Sequence, residues 1–315
     1  MTSTTRPHRS NPAQKPGSAG RPPSGGAPRR TIWIVAIGVV AVLVVVGVLV
    51  AQAFRGNQAS QQPQGVQTGS APTVGGDLHT VAALEDALYV GGHAAAAVST
   101  DDGRTWSDIP SLQGADAMGW AVTSDAILAG GHPGLFGSDD GGATFSKMPT
   151  PFADVHGLGG AGDTAYAASP ESGLLVSTDG GANWEVRNAE VGRSFMGTIL
   201  VDPADPARLI APDMAGALAV STDGGATWSA LGGPSGAMAA AWNPSDTDEI
   251  IAVGMSGSAR TTDGGATWEE LGLPRGASAV SYAEDGSAIY AGVLSGVQAV
   301  TYVSTDGGST WSPTL

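Results

Sequence analysis

The chain has 315 residues, no cysteine and a net charge of −15. The missing cysteine removes disulfides, thiolate metal sites and thiol nucleophiles together. All 29 acidic residues lie beyond residue 55, where only seven basic ones balance them, so that part carries −22. Such a surface repels nucleic acid and anionic lipid and favours solubility.

Residues 1–30 hold Arg6, Arg9, Lys15, Arg21, Arg29 and Arg30, no acid, and much Pro, Gly and Ser. They predict a basic disordered tail. From Ile32 to Val50 run nineteen residues without a charge or a strongly polar side chain, enough to cross a ~30 Å hydrocarbon core as a helix. A transmembrane signal-anchor over 31–54 follows. Positive charge before it and a Gln/Ser-rich stretch after it put the N-terminus in the cytoplasm and the remainder outside, in a single-pass protein of the cell membrane. Ala51-Gln52-Ala53 resembles a signal-peptidase site, with cleavage after Ala53 as the alternative. The uncleaved anchor is favoured because the apolar run exceeds the ~7–15 residues of a signal h-region. A polar linker occupies 55–76.

Residues 77–315 repeat. The pattern Ser/Thr-x-Asp-x-Gly-x-x-aromatic occurs six times, starting at Ser99, Ser138, Ser177, Ser221, Thr261 and Ser304, at intervals of 39, 39, 44, 40 and 43. A period near 40 with a fixed turn phrase means one small sheet per repeat. The Asp is expected to accept backbone N–H groups two residues on, the Gly to supply the positive φ of a tight turn, and the aromatic to bury a large apolar surface. Strands in the first repeat are predicted at Leu78–Leu84, Ala87–Gly91, Ala95–Ser99 and Arg104–Ile109. Four strands in each of six repeats predict an all-β six-bladed propeller, every blade contiguous in sequence. The seam is then its weak point unless residues 65–76 add a strand.

The phrase resembles the Asp box, or bacterial neuraminidase repeat, and the chain looks like the membrane-anchored sialidase or glycosyl-hydrolase-like proteins of actinobacteria. The resemblance implies the propeller fold. It also implies a sialidase-like glycosidase as one activity, although relatives with that fold do unrelated jobs. A sialidase needs an Arg triad, a Tyr nucleophile backed by Glu and an acid/base Asp. Only Arg193 and Arg275 are placed at the expected mouth, and Tyr282, Tyr290 and Tyr302 show no Glu partner in sequence beyond Glu284. A neutral glycan, with Asp77, Asp116 and Asp154 as candidate carboxylates beside Arg193 and Arg275, remains the hydrolase alternative.

Alignment on the boxes exposes a second periodicity. The innermost strands begin at His79, Met118, His156, Met196, Met238 and Ser278, and the second strands end near His93, His132, Pro170, Met214, Met255 and Leu294. Antiparallel neighbours bring these two sets to one rim, opposite the boxes. Imidazole and thioether together suit copper or another transition metal, with the Asp residues orienting the rings, and this makes His79, His93, His132, His156, Met118, Met196, Met238, Met214 and Met255 candidate ligands. The alternative is that Met plugs a narrow channel and His hydrogen-bonds within the rim. The chain therefore reads as an extracytoplasmic binding or assembly module for a protein or glycan ligand, with glycoside hydrolysis as the rival.

Overall fold

A computed structural model of the chain describes residues 70–315. The predicted tail, the predicted span and the linker up to residue 69 lie outside the described residues. Among the described residues, no helix is long and apolar enough to cross a membrane.

Six antiparallel sheets follow one another along the chain. Blade 1 comprises β1 (Leu78–Leu84), β2 (Ala87–Gly92), β3 (Ala96–Ser99) and β4 (Ser107–Asp108). Blade 2 has β5 (Gly119–Val122), β6 (Ile127–Gly131), β7 (Gly134–Ser138) and β8 (Ser146–Lys147); blade 3 has β9 (Gly157–Ala161), β10 (Thr164–Ser169), β11 (Gly173–Ser177) and β12 (Glu185–Asn188). In blade 4 an extra short strand, β13 (Gly197–Thr198), precedes β14 (Leu200–Val201), β15 (Leu209–Pro212), β16 (Leu218–Ser221) and β17 (Ser229–Gly232). Blade 5 runs β18 (Ala237–Asn243), β19 (Asp246–Gly254), β20 (Gly257–Thr261) and β21 (Glu269–Glu270), and blade 6 runs β22 (Ala277–Tyr282), β23 (Ile289–Ser295), β24 (Gln298–Ser304) and β25 (Ser312–Pro313). The six blades and the first three strands of blade 1 fall where the sequence puts them. The fourth is shorter, because residues 104–106 belong to the box.

Blades stack face to face, so their middle strands are covered on both sides and read as continuous apolar runs rather than alternating ones. β11 is buried at all five positions. The outermost strands, such as Ser146–Lys147 and Glu269–Glu270, are exposed, polar and two residues long, which blunts each sheet edge against further pairing. Six apolar clusters fill the interfaces, one between each pair of neighbouring blades. Each box aromatic enters the interface with the preceding blade: Phe145 joins the cluster of blades 1 and 2, Trp184 that of blades 2 and 3, and Trp106 that of blades 6 and 1.

The last interface is where the ring closes. Residues 71–75 pair with blade 6: Thr73 bridges Gln298, and the Val74 N–H donates to the Val297 carbonyl. The Val74 carbonyl in turn accepts the Ala94 N–H of blade 1, and its side chain is fully buried in the seam cluster. The added strand thus comes from just before the first blade. At the opposite rim Thr314 donates to the Gly103 carbonyl at 3.0 Å, so the chain's last residues grip the first box.

Blade 4 departs from the simple pattern. Its innermost strand is split: β13 pairs in parallel with β9 of blade 3, and β14 returns to pair with β15. β13 lies against the innermost strands of blades 1, 2, 3 and 5, so it occupies the centre of the ring. This crossing demands glycine around it, since a Cβ on Gly159 would sit 1.8 Å from the Ile199 carbonyl oxygen, and Gly197 turns at φ 61°. On the box side of β13 a cavity of about 170 Å³ remains, walled by inner-strand residues such as Ala82, Trp120, Leu200 and Tyr282.

Candidate functional site

The boxes close on themselves. In the fourth, Ser221 Oγ donates to Asp223 Oδ1 at 2.9 Å and accepts the Gly225 N–H at 2.8 Å. Asp223 Oδ1 also accepts the Thr227 N–H at 2.8 Å, and Oδ2 accepts the Thr227 hydroxyl at 2.6 Å. The carboxylate therefore reaches four residues on, not the two expected, because the intervening positive-φ glycine curls the loop back over it. The position before the aromatic is Thr or Asn in all six boxes, a regularity the motif as first written omits. The Thr hydroxyl, the Thr N–H and the Ser hydroxyl pull the carboxyls of Asp223, Asp263 and Asp306 down from 3.8 to about 2. Three hydrogen bonds within the loop thus occupy most of the acceptor capacity of the Asp223 carboxylate.

The opposite rim is built differently. Register shifts at the start of the innermost strands leave His79, Met238 and Ser278 as bulged residues in blades 1, 5 and 6. A bulge re-aims the side chain out of the ladder, here at the mouth end of the strand. The ring predicted from spacing therefore has a backbone cause that spacing alone did not show.

Not all the predicted donors converge. Among the described residues, His79, His93 and Asp116 bring one donor atom each within 4.8 Å of one another. His93 Nδ1 lies 3.1 Å from Asp116 Oδ1, and the two imidazole centroids are 6.4 Å apart, edge to face. His79 Nδ1 faces Asp77 Oδ2 at 3.9 Å, while its Nε2 is buried with no hydrogen-bond partner. Burial pushes the His79 imidazole below its usual pKa; Asp77 and Asp116 pull it back, and His93 and His156 push it further down. His156 stands next to this group with its own partner, Asp154 Oδ2 at 3.1 Å.

The other candidates are placed apart from these three donors. His132 is exposed, and it is its backbone carbonyl, accepting the Asp116 N–H at 2.8 Å, that supports the site. Met118 is buried in front of β5, whereas Met214 and Met255 are 43% and 77% exposed on the rim. Met196 and Met238 are half-buried on blades 4 and 5. The recurring His and Met positions polarise the mouth, with His and Asp on blades 1 to 3 and Met196, Met214, Met238 and Met255 on blades 4 and 5.

The carboxylates and arginines named for hydrolysis are engaged. Asp77 accepts its neighbour's N–H at 2.9 Å, Asp116 and Asp154 pair with imidazoles, and Arg193 donates to the carbonyls of Ala189, Pro170 and Glu171. Arg275 is exposed in the loop before β22. A Tyr–Glu pair does exist, hidden from the sequence by a separation of 33 positions: Tyr282 donates to Glu249 Oε1 at 2.7 Å, and Arg260 and Asn243 hold the same carboxylate. It lies toward the box rim, across the ring from the mouth. Burial, and then Glu249, raise the Tyr282 pKa and keep it a phenol, and this network ties blade 5 to blade 6.

Comparison with known proteins agrees with the architecture. A model of the BNR/Asp-box repeat matches residues 219–230 and 302–313. No curated protein matches the chain by sequence. Among solved structures it is similar to the GH74 xyloglucanase of Xanthomonas campestris, with 20% identity over 78% of this chain and 46% of that one, at a TM-score of 0.53. The chain thus spans about half the length of that enzyme, and the likeness is one of fold. YCF48 from Cyanidioschyzon merolae (19% identity, 78% and 87% covered, TM-score 0.49) and YCF48 bound to D1 peptide (17%, 81% and 86%, 0.48) are also similar. With a box on every blade and the repeat model falling on the fourth and sixth of them, this chain is a BNR/Asp-box repeat β-propeller.

Proposed function

We propose that the chain displays its propeller outside the cell on a single membrane anchor, as a binding and assembly module whose docking face is the mouth opposite the boxes. One observation carries this reading: exposed apolar side chains and the His/Asp group share that mouth. Among the described residues five large apolar side chains are exposed, and three of them, Met214, Met255 and Val297, stand on this rim. The His/Asp group faces them across it. Exposed apolar side chains beside polar anchors suit a protein partner. At the box rim, by contrast, the Ser or Thr, Asp and Thr or Asn side chains of each box bond to one another and to the loop backbone.

Photocross-linking tests the docking face. A benzophenone amino acid at Val297 or Met255 of the membrane-embedded full-length protein is expected to give a discrete adduct, and one at Ala226, in a box loop, none. Equal labelling from both rims, or none from the mouth, overturns the assignment. Protease cleavage of the propeller in intact cells tests the topology. The hydrolase alternative requires Asp77, Asp116 or Asp154 to leave its present partner, and no observation on the mouth favours it. Turnover of a chromogenic glycoside, lost in Asp116→Asn, would restore it.

A further inference from the structure

We infer that His79, His93 and Asp116 form a binding site for one divalent transition-metal ion at the mouth, clamping blade 1 to blade 2. This deepens the docking reading and rests on it only for the site's purpose. The three donors come from three separate segments: the bulge in β1, the turn after β2 and the turn before β5. A bulge and two turns converging from two blades, with donor atoms within 4.8 Å, is a built arrangement rather than a chance run of polar residues.

The local chemistry points to a cation. With His79 Nδ1 turned to Asp77, Nε2 is left to face a ligand, and that buried atom has no protein partner. A buried nitrogen without a partner calls for an explanation, and a bound ion supplies one. Asp77 Oδ2, 3.9 Å from His79 Nδ1, adds a second negative charge beside the imidazoles without bonding the ring directly. Two carboxylates beside two imidazoles, on a part of the chain carrying −22, also attract positive charge.

The donor set selects the ion. Two imidazoles and one carboxylate suit borderline ions such as Zn(II), Co(II), Ni(II) and Cu(II), not calcium and not the thioether-rich Cu(I) set that a His/Met ring implies. Tetrahedral donors at about 2.1 Å from the metal stand about 3.4 Å apart. The His93–Asp116 pair is near that value already, at 3.1 Å. The widest pair closes by at most about 1.4 Å, a movement open to His93, whose side chain is 68% exposed. That exposure leaves a coordination position toward solvent, where a donor from a docked partner completes the shell.

The test is titration of the full-length protein, in detergent and stripped with EDTA, with Zn(II) by calorimetry and Co(II) by visible absorption. One equivalent is expected to bind, with the intense d–d bands of low-coordinate Co(II). His93→Ala and Asp116→Asn are expected to abolish stoichiometric binding, Asp77→Asn to weaken it by loss of a nearby charge, and His132→Ala to leave it unchanged. Because His93 is exposed, its variant should keep the near-ultraviolet circular dichroism of the parent. Less than about 0.1 equivalent bound, or binding that survives loss of both His93 and Asp116, overturns the site. The Val297 cross-link separates the two proposals: an adduct without metal uptake sinks the metal site alone, and metal uptake without an adduct sinks the docking face alone.

Discussion

The two rims of this propeller use repetition in opposite ways. At the box rim, eight nearly invariant positions make the same short hydrogen bonds six times, closing each loop through its own Ser or Thr, Asp and Thr or Asn side chains. At the mouth the backbone position recurs but the side chain does not: His79, Met118, His156, Met196, Met238 and Ser278 occupy equivalent places. A turn that must close a hairpin admits one solution and keeps it. A position whose side chain is aimed at the mouth is free of that demand, and its chemistry diverges from blade to blade.

Perturbing each rim separately tests this contrast, and the largest effect belongs to the box side. Trp106 is 1% exposed in the seam between blades 6 and 1, and Trp106→Ala is expected to cost about 3–5 kcal/mol. Trp311, half-buried in its interface, should lose less on the same change. Urea unfolding of the two variants compares them, and equal losses would show that the seam is no more sensitive than any other interface.

Ser221→Ala should follow, at about 1–3 kcal/mol, because it removes the acceptor of the Gly225 N–H in a buried setting. Thermal melts against Ser304→Ala, which breaks the equivalent bond in the last box, should show matching shifts. A large disparity would mean that the boxes are not the interchangeable staples their geometry suggests.

Acid should weaken the box rim. Asp223, Asp263 and Asp306 sit near 2 in the folded protein against 3.8 when free. Their depressed values mean that the folded state binds fewer protons, so their stabilisation is present above pH 4 and drains away as pH falls toward 2. Stability measured across that window should decline, and the triple Asp→Asn variant should decline less steeply. A parallel decline in both proteins would place the acid sensitivity elsewhere.

The sequence made the box rim legible because a turn is local: Ser, Asp and Gly lie within five residues, and their spacing is their geometry. The blade count and the mouth positions of His79 and His93 followed from the same register. What depended on distant contacts was hidden. Nothing local says that Gly197–Thr198 leaves its own blade for Gly157–Leu158, that Thr73 pairs with Gln298, or that Tyr282 meets Glu249. The separation of His132 from His93 was hidden for a subtler reason. Both sit at the same register, but the neighbouring Asp116 side chain takes the His93 ring, whereas its backbone takes the His132 carbonyl.

The smallest expected effect is the sharpest test of the contrast. His93→Ala removes an exposed ring whose one ionic contact, to the mostly covered Asp116, stays open to water on the His93 side, where such pairs contribute about 0–1 kcal/mol. Surface changes away from caps, cores and strained backbone stay within about 0.5 kcal/mol. If the mouth is kept for binding and not for holding blades together, the melting temperature of the metal-free variant should match that of the metal-free parent, and a difference should appear only after Zn(II) is added, when the parent alone gains stability. A loss comparable to that of Ser221→Ala without metal would show that the His93–Asp116 contact is itself a staple, and the division of labour between the rims would fall.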